Sequence, residues 1–229
     1  MDDISARIKV VTEKIAQEAR ASGREPSEIG LVAVSKSQPP EKVRLAFEAG
    51  QLLFGENRAQ ELLAKTPLLP SSARWHFIGH LQKNKIRKIL PVADLIHAVD
   101  SVELAEDINR IASELGLFPR VLLEVNVSGE SSKFGFSPEA VRRAAAQLLS
   151  LPRVQVEGLM TIAPIVEHPD DARPFFAALR ILRDEIAAGH GTKLPTLSMG
   201  MSDDFGAAIR EGATLVRIGT AIFGARSTV

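Results

Sequence analysis

The sequence of 229 residues contains no cysteine and no tyrosine, and aromatic residues make up only 5% of it. The lack of cysteine excludes disulfide bonds, thiolate zinc ligands and cysteine nucleophiles. The lack of tyrosine excludes that residue as a catalytic acid or base. No stretch approaches the roughly 18 apolar residues of a membrane span, and the acidic amino-terminal segment lacks the apolar core of a signal peptide. We therefore expect a cytoplasmic protein that contacts no membrane.

An excess of charge of one sign is also missing, because 28 basic residues balance 28 acidic ones. Such a chain has no overall field that would attract nucleic acid. The dense basic run KNKIRK at 83–88 contains no aromatic residue on which bases could stack. A solvated helix face is the preferred interpretation of this run. An RNA adaptor is a distant alternative, which salt-dependent binding would reveal.

Short apolar runs alternate with stretches of helical periodicity. The runs lie at 31–34, 52–54, 75–78, 95–99, 121–125, 154–159, 196–197 and 215–218. The helical stretches between them lie at 40–49, 57–65, 83–90, 102–115, 138–149, 171–188 and 203–211. Ile4, Ile8, Val11 and Ile15 recur at helical spacing before the first run and predict an extra amino-terminal helix.

Buried strands that alternate with helices are typical of parallel βα units. The pattern predicts an α/β fold, a single (β/α)₈ barrel of the TIM type that spans residues 1–229 with the extra helix at its amino terminus. An open doubly wound sheet is the alternative. Ser101 and Ser137 are expected to cap the amino ends of their helices.

Lys36 directly follows the first predicted strand. Parallel barrels carry their chemistry beyond the carboxyl ends of the strands, so this side chain belongs to the functional face. A strand-end lysine most often just reaches solvent. The functional interpretation is a partly desolvated amine with a lowered pKa, which forms a Schiff base with an aldehyde.

Two segments after the last strands point to a phosphate site. In SMGMSDD at 198–204, Ser202 is predicted to cap the helix 203–211, whose amino end would favour an anion. In VRIGTAIFG at 216–224, Gly219 allows close backbone approach and Thr220 supplies a hydroxyl. Strands seven and eight are where this barrel usually binds phosphate. Ordinary turn chemistry is the alternative explanation of these residues.

Two further polar residues need partners or a structural role. Arg217 interrupts an apolar strand, so we expect it to face a carboxylate or a ligand. Asn57 either caps the helix 57–65 or binds a ligand, and capping is the simpler explanation. His76 and His80 are four residues apart, but they lie where a strand runs into a turn, and no further ligands complete a metal site.

With these residues in place, the whole chain resembles the pyridoxal phosphate homeostasis protein family. That family looks like the barrel half of alanine racemase without its second domain. Seven blocks carry the resemblance: AVSK (33–36), FGEN (54–57), HFIGHLQKNK (76–85), VNVSGESSKFG (125–135), GLMTI (158–162), LSMGMSDDF (197–205) and VRIGTAIFG (216–224).

The resemblance implies that pyridoxal 5′-phosphate is the cofactor and that Lys36 holds it as a Schiff base. It also implies that Ser202, Gly219 and Thr220 form the phosphate cup, and that Arg217 faces the pyridine nitrogen. Ser198 and Met199 match residues beside the cup, and Asn57 matches a residue lining the ring pocket. Two departures from the family pattern, Gln38 after Lys36–Ser37 and Arg58 after FGEN, affect contacts at the periphery of the mouth.

The resemblance further implies a binding and carrier protein that acts in the homeostasis of the cofactor. An arginine at the ring nitrogen would weaken the ring as an electron sink, and no tyrosine is present as a second base. We therefore expect little catalysis, with an amino-acid racemase or lyase using Lys36 as its only base as the alternative. The chain is expected to be a monomer, with apo forms of pyridoxal phosphate enzymes as candidate recipients. Lys133, in the loop after the fifth strand, is a candidate for assisting cofactor entry or exit.

Overall fold

A computed structural model describes residues 3–130 and 133–224. Its strands are β1 (Gly30–Val34), β2 (Leu53–Glu56), β3 (Arg74–Phe77), β4 (Leu95–Val99), β5 (Arg120–Glu124), β6 (Gln155–Met160), β7 (Thr196–Ser198) and β8 (Leu215–Ile218). The eight strands are parallel and form a closed barrel in chain order. Pairing of β8 with β1, which sets Arg217 beside Val32, closes it. The predicted barrel is confirmed, and the open sheet is wrong.

The helices alternate with the strands. They are α1 (Ile4–Ala21), α2 (Pro40–Glu48), α3 (Ala59–Lys65), α4 (Ile86–Ile89), α5 (Val102–Leu115), α6 (Pro138–Leu149), α7 (Arg173–Gly189), α8 (Phe205–Arg210) and α9 (Thr220–Phe223). The predicted extra helix is α1, which buries its apolar stripe, including Ile4, Ile8 and Ile15, against the barrel. Among the described residues, no helix is both long enough and apolar enough to cross a bilayer.

Two predicted helix caps are confirmed, and two are wrong. The hydroxyls of Ser101 and Ser137 accept backbone hydrogen bonds at the starts of α5 and α6. Ser202 does not cap α8, because the carboxylate of Asp204 accepts from the Met201 N–H at 2.6 Å and closes a turn first. The helix therefore begins only at Phe205.

Asn57 likewise does not cap α3, which begins at Ala59 after an extended Arg58. The backbone of Asn57 packs closely against Gly79, where a β-carbon would lie 2.3 Å from the Asn57 carbonyl oxygen. This contact between the ends of β2 and β3 keeps residue 57 in the mouth rather than in the helix. The Asn57 side chain is thereby available for the functional site.

Apolar side chains fill most of the space between strands and helices, and a smaller separate cluster contains Leu95, Ala98, Leu122 and Met160. Polar side chains are also buried among the strands. Four of them, His76, His97, Ser198 and Arg217, lie on four different strands. Buried polar groups need hydrogen-bond partners, and the pairing of these side chains bears directly on the site.

Candidate functional site

A cavity of about 210 Å³ opens at the carboxyl ends of the strands, and we call it the mouth cavity. It is lined by Val34, Lys36, Asn57, Ile78, Ile162, Met201, Ser202, Asp203, Arg217, Gly219 and Thr220. The lining therefore combines a lysine, an arginine, an aspartate, an amide and two hydroxyl groups with apolar walls. Six of the eight residues predicted for the site come together here, although they lie up to 184 positions apart in the chain, from Lys36 to Thr220.

Ser198 and Met199 do not line the mouth cavity. Met199 is fully buried in the apolar core, and its N–H donates to the Leu215 carbonyl at 3.1 Å. Ser198 is also fully buried, and its hydroxyl accepts a hydrogen bond from Arg217. These two residues therefore affect the site through buried packing and hydrogen bonds, and not by contact with the cavity.

The sequence interpretation missed the apolar residues of the cavity wall. Ile78 directly follows β3, Ile162 lies two residues after β6, and Met201 lies in the turn before α8. An apolar side chain carries no chemical signature of its own. Only its position just past a strand end could have pointed to it.

A buried polar network lies under the segment that carries Lys36. The Ser35 hydroxyl donates to Glu56 Oε1 at 2.6 Å, and Lys65 Nζ donates to the same oxygen and to the Ser35 carbonyl, each at 2.7 Å. Lys65 is only 4% exposed and Glu56 is fully buried. Because an ion pair this deep is stable only when both partners are present, each of these residues depends on the other.

The same network reaches the other neighbour of Lys36. Glu61 accepts from Lys65 Nζ at 3.1 Å and from the Ser37 N–H at 2.6 Å. Ser37 has a φ of 59°, a left-handed conformation that is uncommon for a residue with a β-carbon. Hydrogen bonds on both sides of Lys36 therefore fix its backbone. We call Ser35, Ser37, Glu56, Glu61 and Lys65 the lysine network.

Burial and hydrogen bonding act in opposite directions on its carboxyl groups. Burial raises the pKa of Glu56, and the hydrogen bonds from Lys65 and Ser35 oppose that rise only in part. Burial would also raise the pKa of Glu61, but the hydrogen bonds from Ser37 and Lys65 outweigh it and lower the pKa.

Arg217 enters the mouth cavity from β8 and is 5% exposed. Its guanidinium donates to the Ser198 hydroxyl at 2.6 Å and to the Thr161 carbonyl at 2.9 Å. Burial lowers the pKa of Arg217 to about 10, while the more distant charges of Asp204 and Glu124 act the other way. The guanidinium is still a cation at neutral pH. Its direct partners are neutral, so its charge acts on whatever occupies the cavity.

Two observations show that the cavity suits a polar ligand. The Asn57 Oδ1 atom is buried and has no hydrogen-bond partner among the described residues, and a buried acceptor of this kind costs stability unless a ligand or water donates to it. At Gly219, a β-carbon would lie 3.1 Å from the Val34 carbonyl oxygen. A larger residue at 219 would crowd the Val34 backbone, and Gly219 lines the cavity together with the hydroxyl-bearing Ser202 and Thr220.

The loop after β5 lies beside the same mouth. Phe134 stacks on the His80 ring with centroids 4.5 Å apart, and His80 Nδ1 lies 2.8 Å from Asp100. Lys133, next to Phe134, pairs with Glu130 at 2.7 Å and does not line the mouth cavity. Residues 131 and 132 of this loop lie outside the described part of the chain.

Comparison with known proteins shows to which class this closed barrel, with a lysine and an arginine in its mouth, belongs. The family model for the alanine racemase N-terminal domain matches residues 13–227. A solved alanine racemase from Clostridium difficile 630 has the same fold, with a TM-score of 0.77 at 17% identity, over 100% of this chain and 58% of that one.

Two other proteins are much more similar in sequence. The pyridoxal phosphate homeostasis protein of Aquifex aeolicus is 45% identical, over 96% of this chain and 97% of its own length. The structure of PipY from Synechococcus elongatus PCC7942, solved with pyridoxal phosphate bound, has a TM-score of 0.82 and 41% identity, over 92% of this chain and 100% of that one. The chain therefore belongs to the pyridoxal phosphate homeostasis protein family, which confirms the resemblance stated from its motifs.

Proposed function

We propose that this chain binds pyridoxal 5′-phosphate as a Schiff base on Lys36 and carries it in the homeostasis of the cofactor. The observation that carries the proposal is that the Lys36 amine, Arg217, Gly219 and the hydroxyl-bearing Ser202 and Thr220 line one cavity. The family relationship and the cofactor bound in PipY support the choice of ligand.

Each group has a distinct part in binding. Pyridoxal phosphate supplies an aldehyde and a ring that accepts electrons. Condensation of the Lys36 amine with the aldehyde forms a C=N bond and releases water. The hydroxyls of Ser202 and Thr220 donate hydrogen bonds to the phosphate, which approaches closely at Gly219. Asn57 Oδ1, which is buried without a partner, accepts a hydrogen bond from the ligand or from a water molecule beside it.

The charge of Arg217 favours carriage over catalysis. A guanidinium remains a hydrogen-bond donor at neutral pH, so a ring nitrogen that faces it stays unprotonated and withdraws electrons poorly. The sequence also has no tyrosine to act as a second base. We expect negligible racemisation of alanine by the protein loaded with the cofactor. Exchange of the α-proton of L-alanine for solvent deuterium measures this, and rapid exchange would favour the enzyme alternative.

The attachment is tested by absorption spectroscopy. Wild-type protein mixed with pyridoxal phosphate should develop the visible band of a Schiff base, and Lys36→Ala should lack it. Lys9→Ala is the matched control, because Lys9 lies exposed on α1. An unchanged band in Lys36→Ala would refute the proposed attachment.

We propose further that the protein acts as a cytoplasmic monomer and delivers its cargo to apo forms of pyridoxal phosphate enzymes. Sedimentation of the loaded protein tests the first point. Return of activity to an apoenzyme mixed with the loaded protein tests the second. Transfer no faster than release into buffer would contradict delivery.

A further inference from the structure

A chain of buried hydrogen bonds crosses the barrel beneath the mouth cavity. Arg217 Nη1 lies 2.6 Å from Ser198 Oγ, which lies 2.9 Å from His97 Nδ1. The Nε2 atom of His97 lies 2.8 Å from His76 Nδ1. All four residues are at most 5% exposed and come from four strands, β8, β7, β4 and β3. We call them the barrel chain.

The hydrogen bonds of this chain have one consistent direction. The guanidinium of Arg217 can only donate, so the Ser198 oxygen accepts from it. In the described part of the protein, His97 Nδ1 is the other partner of that hydroxyl, so the serine proton is directed to Nδ1. His97 then carries its proton on Nε2 and donates to His76 Nδ1, which leaves the His76 proton on Nε2.

The surroundings keep both imidazoles neutral, as this direction requires. Burial lowers the pKa of His76 to about 3, and the positive charges of Arg120 and Arg74 add to the effect. Burial also lowers the pKa of His97 well below its usual value, with further contributions from His76 and Arg217. An imidazolium would have two donor nitrogens, and the chain could not form in this direction.

The far end of the chain faces the opposite end of the barrel. His76 lines a cavity there of about 520 Å³, together with Arg24, Arg74 and Arg120. Each arginine has its own carboxylate, with Arg24 pairing Glu28 at 3.1 Å, Arg74 lying 3.5 Å from Asp94, and Arg120 contacting Glu157. The three arginines around His76 are therefore paired with carboxylates, and His76 remains the neutral end of the barrel chain.

We propose that Ser198, His97 and His76 are positioning residues that hold the Arg217 guanidinium in the mouth cavity without neutralising it. A carboxylate would hold the arginine as firmly, but it would cancel much of the charge presented to the ligand. The serine hydroxyl is a fixed acceptor because its own proton is committed to His97. This inference rests on the proposed function for its ligand, and the barrel chain itself is tested without any ligand.

The first experiment measures the histidine tautomers by ¹⁵N NMR on the wild-type protein without cofactor. His76 and His97 should both be neutral and carry the proton on Nε2 at pH 7, and this should persist at pH 5. A proton on Nδ1 of either ring, or an imidazolium at pH 7, would overturn the chain. Because no ligand is present, this result is independent of cofactor binding.

The second experiment compares two variants of Ser198. Ser198→Ala should weaken pyridoxal phosphate binding by about tenfold, because a hydrogen bond to a charged group is lost. It should also leave His97 as a mixture of tautomers. Ser198→Thr retains the hydroxyl and should restore the single tautomer and most of the affinity. Ser35→Ala, another buried serine, is the matched control for the His97 tautomer, which it should not change.

Wild-type affinity together with an unchanged His97 tautomer in Ser198→Ala would overturn the positioning role. Failure of the wild-type protein to bind pyridoxal phosphate would overturn the proposed function instead, and the positioning of Arg217 for that ligand with it. The tautomers of His76 and His97 would still decide whether the chain exists.

Discussion

The two basic residues of the mouth cavity, Lys36 and Arg217, are held in opposite ways. Lys36 is flanked by Ser35 and Ser37, which the charged lysine network ties down through Glu56, Glu61 and Lys65. Arg217 is held by the hydroxyl of Ser198 and the carbonyl of Thr161, both of them neutral. One side of the cavity is built on buried ion pairs and the other on directed hydrogen bonds between neutral groups.

This difference matches the role proposed for each of the two residues. The lysine network fixes the backbone on both sides of Lys36 and so fixes the place from which its side chain enters the cavity. The arginine acts through its charge, which neutral partners leave intact. We therefore predict that substitutions in the lysine network lower the stability of the fold. Substitutions in the barrel chain should instead lower the affinity for the ligand.

The largest effect is expected from Lys65→Met. Removal of this cation leaves Glu56 buried without its ion-pair partner, which costs about 3–5 kcal/mol in the free energy of unfolding. Urea denaturation without cofactor measures the loss. Lys9→Met, on an exposed position of α1, should stay within about 0.5 kcal/mol of wild type.

The double variant Glu56→Gln/Lys65→Met tests the reason for that loss. Without the buried carboxylate, a large part of the lost stability should return. A single Lys65→Met variant that loses less than about 1 kcal/mol would show that this pair contributes no more than an ordinary surface ion pair.

The next largest effect is expected from a substitution of Glu124, whose negative charge acts to raise the pKa of Arg217. Burial, with a smaller contribution from Asp100, raises the pKa of Glu124 from 4.5 to about 7. A raised folded-state pKa contributes stability that is present below pH 4.5 and is lost as the pH rises through about 7. Glu124→Gln should therefore gain on wild type by about 2–3 kcal/mol between pH 4 and pH 8.

Urea denaturation at a series of pH values measures this gain. The control Glu48→Gln, at an exposed position near the end of α2, should track wild type at every pH. A difference between Glu124→Gln and wild type that does not vary with pH would show that Glu124 ionises equally in the folded and unfolded chain.

On the phosphate side we expect Gly219→Val and Ser202→Asp each to weaken pyridoxal phosphate binding by more than about tenfold. A side chain at 219 would crowd the Val34 carbonyl, whose oxygen lies 3.1 Å from the β-carbon position, and an aspartate at 202 repels the phosphate. Fluorescence titration measures both affinities. Ser72→Asp, in an exposed turn before β3, is the control. Wild-type affinity in both variants would move the phosphate away from β7 and β8.

The smallest effect is expected from Lys133→Ala. Lys133 pairs with Glu130 and lies outside the mouth cavity, so the variant should keep the Lys36 band. Loss of its positive charge near the mouth should slow cofactor transfer to an apoenzyme by roughly two- to fivefold. The rate at which acceptor activity returns measures this, and equal rates would make Lys133 an ordinary surface lysine.

The barrel could be predicted from the sequence more completely than the cavity. Alternating apolar runs and helices predict the barrel because local periodicity determines each element. Lys36, Gly219 and Thr220 follow from their places just past strand ends. Ser202 was assigned to the right cavity for the wrong reason, because Asp204, two residues later, takes over the start of α8.

The buried networks were not predictable from local patterns. Lys65 follows Glu61 at the spacing of an ordinary surface helix pair, yet it is 4% exposed because α3 turns it toward Glu56. His76 and His97 come from β3 and β4, and their contact depends on how the two strands pack in the closed barrel. Such contacts are set by tertiary packing, which periodicity along the chain does not encode.

Lys36 is the residue proposed to bond to pyridoxal phosphate. The most direct test is borohydride reduction of the loaded protein, followed by digestion and mass spectrometry of the peptides. Reduction makes the linkage permanent, so the modified lysine is identified directly. We predict that the pyridoxyl group is found on the peptide that contains Lys36. A pyridoxyl group found mainly on another lysine, or on none, would contradict attachment at Lys36.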